Sequence, residues 1–301
     1  MLTGGAFGWV KQRRPEGDIL EEECGRVDVA PVCAHGGTMY LRRIGVGHLL
    51  FAASFAAIGA ISLVARDFLL NQQPVPPHIP WRETLACISA ALMLVPGIGM
   101  LFAATAKRSS LILTGFVALW VLALQIPRVL AHPLVEASWL GVGEDSTLVA
   151  GGWLIYCAVA GRDDGSARAA RILFGLALVP IGLSHFFYLK FAATLIPAWM
   201  PLREPLTGLG GAGHIVAGLA IAFGMLPRLA ATLEAIMESL FTIICWLSAV
   251  AAAPTNREDW VNLLISTALS AAAWALAASY GSRIATPRFA VTGAGAAAGS
   301  R

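Results

Sequence analysis

Pro-Trp-Arg-Glu-Thr at residues 80–84 is answered, 121 residues later, by Pro-Leu-Arg-Glu-Pro at residues 201–205. At the same offset Pro76, Pro133, Trp139 and Trp153 fall on Pro197, Pro254, Trp260 and Trp274. Prolines and tryptophans matching in one register mark an internal repeat, and a repeat governs architecture. This unit is far longer than a solenoid turn and is mostly apolar, so it reads as a duplicated membrane module.

Composition supports that reading. Mean hydropathy is +0.71 and only 13% of residues are charged, against about a quarter in soluble chains. Eight nearly charge-free stretches are long enough to cross a bilayer, which takes ~20 residues: Ile44–Val64, Leu85–Ala106, Leu111–Leu130, Leu140–Ala160, Ile172–Phe191, Leu206–Leu226, Leu229–Ala253 and Val261–Ser279. The fourth is the weakest, with Gly141, Gly143, Glu144 and Asp145 expected at its mouth. Backbone groups in lipid must be satisfied internally, so helices are the expected form. The expected fold class is all-α: a polytopic transmembrane helix bundle of eight spans in two tandem four-helix modules, residues 39–161 and 168–281. Tails at 1–38 and 282–301 are expected to be disordered.

Lys and Arg set the orientation. The segments before the first span and after the last, with the loops at 107–110, 161–171 and 227–228, hold fifteen of the twenty-one basic residues, six of them before Ile44. Both termini are therefore expected on the cytoplasmic side of a multi-pass inner-membrane protein. That asymmetry accounts for the net charge of +3, with no nucleic-acid partner implied. Met39, directly before Tyr-Leu-Arg-Arg and the first span, is an alternative start. Cys87, Cys157 and Cys245 lie in expected spans, and with Cys24 and Cys33 they show no Cys-x-x-Cys spacing. Neither a disulfide framework nor a metal site is expected.

Within each module a basic flank opens the first helix, and a proline-rich outer connection follows (74–81 and 196–201). Trp81 and Trp199 suit headgroup depth. Arg-Glu then opens the next helix, the Glu favoured by the positive helix terminus. Arg203 and Glu204 read either as a cap and anchor or as an outer-face ligand pair. The sixth span carries Gly208, Gly210, Gly211, Gly213, Gly218 and Gly224, where its counterpart has only Gly97 and Gly99. Small residues let membrane helices approach closely.

This assembly resembles the DoxX family of bacterial four-helix membrane proteins, present here twice. The resemblance is carried by His185-Phe186, the Pro197 to Pro201 loop and the Gly-rich stretch ending at His214. The first half keeps Gly47-His48 but no His-Phe. The resemblance implies an accessory or membrane-anchor role beside thiosulfate:quinone oxidation or membrane thiol and oxidative-stress complexes, with a soluble or membrane redox partner. It carries over no catalytic residue set.

Four ionisable groups fall inside expected spans: His185, His214, Glu234 and Glu238. Such groups are costly in lipid and are functional candidates by default. Counting ~1.5 Å per residue, the two histidines reach nearly the same depth, and the two glutamates stack four residues apart on one helix face. The first half has Met93, Leu113 and Val117 at the positions of His214, Glu234 and Glu238. Neutral imidazoles and carboxylates suit a quinone and its protons. They also suit a proton relay in a small-solute transporter, or are satisfied by neighbouring groups with no ligand. Haem fits less well, because histidines on adjacent helices leave their rings side by side. Quinone is thus the cofactor the set favours. His48 reads as an interfacial polar residue, and His132 as incidental to a helix stop at Pro133.

Overall fold

The computed structural model describes residues 45–69 and 71–281. Both tails, with Cys24, Cys33 and the alternative start, lie outside the described residues. Every regular element among those described is helical. In chain order these are α1 (Val46–Ala65), α2 (Arg82–Met100), α3 (Ala106–Trp120), α4 (Ile126–Ala131), α5 (Glu136–Ala160), α6 (Gly165–Phe187), α7 (Leu189–Leu195), α8 (Arg203–Phe223), α9 (Pro227–Phe241), α10 (Leu247–Ala252) and α11 (Arg257–Ser279). Wide π turns at Val121–Gln125 and Thr242–Trp246 join α3 to α4 and α9 to α10.

Counting Ala106–Ala131 and Pro227–Ala252 as single spans, seven helices are long and apolar enough to cross a bilayer. The molecule is a helical bundle of the multi-pass membrane kind. Large apolar side chains such as Val64, Leu130, Val216 and Phe223 face outward, as a lipid-facing surface requires. The remaining long helix, α5, carries its acidic residues within its length. Glu144 and Asp145 lie eight and nine residues past Glu136 in one unbroken helix, not at its mouth. What keeps them there is a partner. Gln125 Nε2, at the end of the first π turn, donates to Asp145 Oδ2 at 2.9 Å, and both residues are fully buried.

Several helices start earlier than hydropathy predicts, because polar first turns are stabilised locally. The Asp164 side chain accepts from Ser166 N at the start of α6. Asn256 does the same from Glu258 N at α11. Each satisfies an orphan N–H, an effect typically worth ~1 kcal/mol.

The offset of 121 extends to local geometry. α2 and α8 begin at Arg82 and Arg203, each after a residue in the left-handed region, Trp81 (φ 55°) and Leu202 (φ 56°). The π turns begin at 121 and 242. Trp139 Nε1 donates to Pro133 O at 2.9 Å, and Trp260 Nε1 to Pro254 O at 2.9 Å. Ser248 stands where the first half has Pro127, so proline is not what opens these turns.

Packing departs from sequence order in one respect. α1 lies along α2 and α11, while α5 lies along α3 and α6, so each half's last long helix packs on the other half's first. The helices form a ring of α1, α2, α3, α5, α6, α8, α9 and α11, which α5 and α11 close across the middle. Small residues permit the exchange. A Cβ on Gly47 would meet Ala271 O at 2.6 Å, and one on Gly143 would meet Ala177 O at 2.8 Å. At the centre Gly151 abuts Ala272, its own counterpart at the offset of 121.

Candidate functional site

α6 and α8 cross through reciprocal glycines. A Cβ on Gly175 would lie 2.6 Å from Gly218 O, and one on Gly182 would lie 2.6 Å from Gly211 O. In the first half Gly59 and Gly97 make the matching crossing, against Ala90 and Ala52. Ala52 therefore corresponds to Gly175, and Gly59 to Gly182. That register sets Ser62 opposite His185, a two-residue correction to the sequence alignment.

The crossing brings the histidines together. Their ring centres lie 5.2 Å apart at 46°, with Gly211 directly beneath the Cβ of His185. Equal depth is reached differently from the sequence expectation. His185 lies two residues from the end of α6, and His214 eleven residues into α8. α6 stops early and α7, packed on α8, continues the path outward.

His214 and Glu234 are almost sealed, at 3% and 1% exposure. Glu234 Oε1 accepts from His214 Nδ1 at 2.8 Å. Glu238, one turn on, lies with Oε1 4.0 Å from His214 Nε2. His185 Nδ1 lies 2.9 Å from Ile181 O. Carboxylate and carbonyl oxygens only accept, so both Nδ1 atoms carry hydrogen. In the neutral rings both Nε2 atoms then present lone pairs, ready for a hydrogen-bond donor or a cation.

A cavity of about 200 Å³ opens beside them. His185, His214, Glu238 and Phe241 line it, and the first half contributes Gln72 and Glu144. Phe241 meets the His185 ring edge-on at 5.8 Å. Four residues past Glu238, Thr242 Oγ1 bonds Glu238 O and sits 2.7 Å from Ser266 Oγ, at the start of the second π turn. Such turns recur at functional sites.

The structure thus gathers His185, His214, Glu234 and Glu238 into one cluster. Arg203 and Glu204 stand apart, exposed on the first turn of α8 and about 16 Å along that helix from His214. In the first half the matching pair is a clamp. Arg82 binds Asp67 at 2.7 Å and Glu83 binds Arg66 at 2.8 Å. His48, near the start of α1, is buried in the bundle, with Nε2 2.8 Å from Met100 O. His132 is exposed at the end of α4. At the first half's equivalent site Met93, Leu113 and Val117 pack with Phe55 and Trp120 in the apolar core.

Sequence reading missed Glu144, Gln72 and Phe241. Glu144 reads as a span mouth in the sequence, where the neighbouring glycines and Asp145 suggest a loop and nothing signals its burial. Glu144 lines the cavity with Gln72 and lies within electrostatic reach of Glu136 and Glu238. The geometry also weighs against haem. Axial nitrogens at about 2 Å on opposite sides of one iron keep ring centres more than about 6 Å apart, wider than is found here. The cavity is also below the about 300–1,000 Å³ that houses a drug-sized ligand.

No family model, curated protein or solved structure matches the chain.

Proposed function

We propose that this chain is a DoxX-like inner-membrane protein that serves a quinone-linked redox complex and binds the reduced head group, a quinol, in its second half. The observation that carries the reading is that His185 and His214, each with Nδ1 on an acceptor, line one cavity with the Glu238 carboxylate; as neutral rings they offer Nε2 as acceptors. A quinol offers two hydroxyl donors, and these acceptors match them. An oxidised quinone offers only carbonyls and is left without a donor from either imidazole. Taking up the hydroxyl proton is the general-base step that imidazole and carboxylate perform together. The cavity admits a single ring, and the tail is left to the lipid.

The architecture behind this reading is eight spans in two tandem modules with interlocked last helices and both termini cytoplasmic. The repeated helix starts, left-handed residues and π turns support the duplication, and the excess of Lys and Arg in tails and inner loops supports the orientation. In the proposal, the first half keeps an apolar core and closes the second half's site with Glu144 and Gln72. A soluble or membrane redox partner is the electron acceptor, and the chain is its accessory or anchor.

Lipid extraction of detergent-purified protein tests the proposal. Bound quinone is expected, with tighter rebinding under reducing conditions and loss on His214→Ala. Equal affinity for both redox forms, or unchanged content in that variant, overturns it.

One observation favours a second reading, a proton-coupled transporter. Glu136, Glu144 and Glu238 follow one another from the start of α5 to α9, as a relay would need. Proton flux into liposomes that is lost on Glu144→Gln, without bound quinone, selects that reading.

A further inference from the structure

We infer that the second half holds a divalent first-row transition-metal ion, ligated by His185 Nε2, His214 Nε2 and Glu238, with Glu234 positioning His214 from behind. The binding of the ion stands on its own geometry; only its role beside a quinol rests on the reading above.

Metal-bound histidines nearly always donate their other ring N–H to a carboxylate or a backbone carbonyl. Both arrangements are present: His214 Nδ1 on Glu234 Oε1 at 2.8 Å, and His185 Nδ1 on Ile181 O at 2.9 Å. Two imidazoles on one tetrahedral ion, with nitrogens at about 2.0–2.1 Å, place their ring centres about 5 Å apart. The centres here lie 5.2 Å apart. One donor atom from each of His214, Glu234 and Glu238 lies within 4.8 Å of the others, a group that does not include His185, so the His185 ring must move inward to bind. His214 Nε2 and Glu238 Oε1 stand 4.0 Å apart and need to close to about 3.3 Å for bonds of that length, a small rotation of the Glu238 side chain.

Charge argues the same way. Two carboxylates flank one imidazole in a low-dielectric interior, and buried charge must be paired or bind metal. A divalent cation neutralises both. Glu234 Oε2 has no hydrogen-bond partner, although the residue is 1% exposed. The first half shows that the fold accepts Met93, Leu113 and Val117 here, so packing does not require the polar set. Imidazole and carboxylate ligands without thiolate point to zinc, ferrous or manganous ions. Three protein ligands leave coordination positions open. Those positions face the cavity, where water or a quinol oxygen completes the shell.

The test uses the full chain, purified without a polyhistidine tag, stripped with chelator and titrated with cobalt(II). Metal content and visible d–d absorption are read together. The expected result is about one ion per chain with a low-coordinate spectrum. His185→Gln and Glu238→Gln should each weaken binding at least tenfold. Glu234→Gln should keep the stoichiometry and band shape while weakening binding about 10–100-fold, as loss of a ligand-orienting carboxylate does. No retained cobalt overturns the inference. So does wild-type affinity in the His185→Gln/Glu238→Gln double variant, which means an adventitious ion only. Should the variants fail to fold, the wild-type chain decides, since a specific ion raises its melting temperature with concentration and no rise overturns the site. Quinone assayed in the same samples separates the two proposals. Metal without quinone defeats the quinol reading alone, and quinone without metal defeats this inference alone.

Discussion

His214 Nδ1 and Glu234 Oε1 lie 2.8 Å apart in a place where neither side chain is more than 3% exposed. This pair, from two helices that run in opposite directions, is the fixed point of the second half. Its counterpart at the offset of 121 is Met93 beside Leu113, two fully buried apolar side chains. The same fold therefore packs the same location in two ways, and only one of them carries charge.

Truncating one member of the pair should be far worse than replacing both. His214→Ala leaves Glu234 buried without its partner, which typically costs 3–5 kcal/mol. The triple change His214→Met, Glu234→Leu, Glu238→Val installs the first half's residues and should restore melting to the wild-type value or above, by up to about 1–4 kcal/mol. Thermal unfolding in detergent reads both. A triple variant less stable than His214→Ala would show that the polar set is there for packing.

Gly211 sets where His185 stands. An added Cβ there would lie 2.7 Å from His185 Cβ and 2.8 Å from Gly182 O. Gly211→Ala should cost about 1–3 kcal/mol by overpacking and lower bound quinone content. Gly208→Ala, whose Cβ meets only Phe186 at 4.0 Å, should change neither. Equal effects from the two substitutions would contradict the crossing geometry.

Gln125 holds Asp145 inside α5. Gln125→Leu removes the donor to Asp145 Oδ2 and to Gln72 O. A buried acceptor left unmade costs about 1–3 kcal/mol, more if charged. Gln125→Leu/Asp145→Leu should recover much of the loss, as a double-mutant cycle on melting temperature would show.

At the start of α6, outside the spans, the Arg162 guanidinium and then the Ser166 N–H hold the Asp164 carboxyl below its ordinary value. A depressed carboxyl contributes stability above its unfolded pKa of about 3.9 and loses it as pH falls through the lower folded value. The Asp164→Ala variant should melt below wild type at pH 6, and the gap should narrow as pH falls below about 4. A gap independent of pH would place the effect elsewhere. Asp164 is exposed to solvent and screened, so the difference should be small.

How far the sequence reached follows from what hydropathy and repeats can register. The seven apolar spans were legible because lipid demands unbroken apolar runs; their starts were misplaced where polar first turns such as Arg82-Glu83 and Arg203-Glu204 continue the helix, and two ends where α2 stops at Met100 and α6 at Phe187 inside apolar sequence. The four ionisable groups stood out because each interrupts such a run. Glu144 and Asp145 did not, because two adjacent acids beside glycines look like a loop until Gln125 is seen to meet Asp145. The exchange of α5 and α11 was hidden too. It depends on Gly47 meeting Ala271 and on Gly143 meeting Ala177, contacts between small residues that leave no periodic trace. The two-residue slip that sets Ser62 opposite His185 lies in the outer loops, where the offset changes and sequence alone gives no anchor.

Photolabelling with an azido-quinol, followed by peptide mass spectrometry, tests the central claim most directly. The account predicts label on the peptides that carry His185, Glu238 and Phe241, competed by unlabelled quinol and absent from the peptides that carry Ser62, Met93 and Val117. Label shared equally between the two halves, or confined to lipid-facing residues such as Val216 and Phe223, would contradict it.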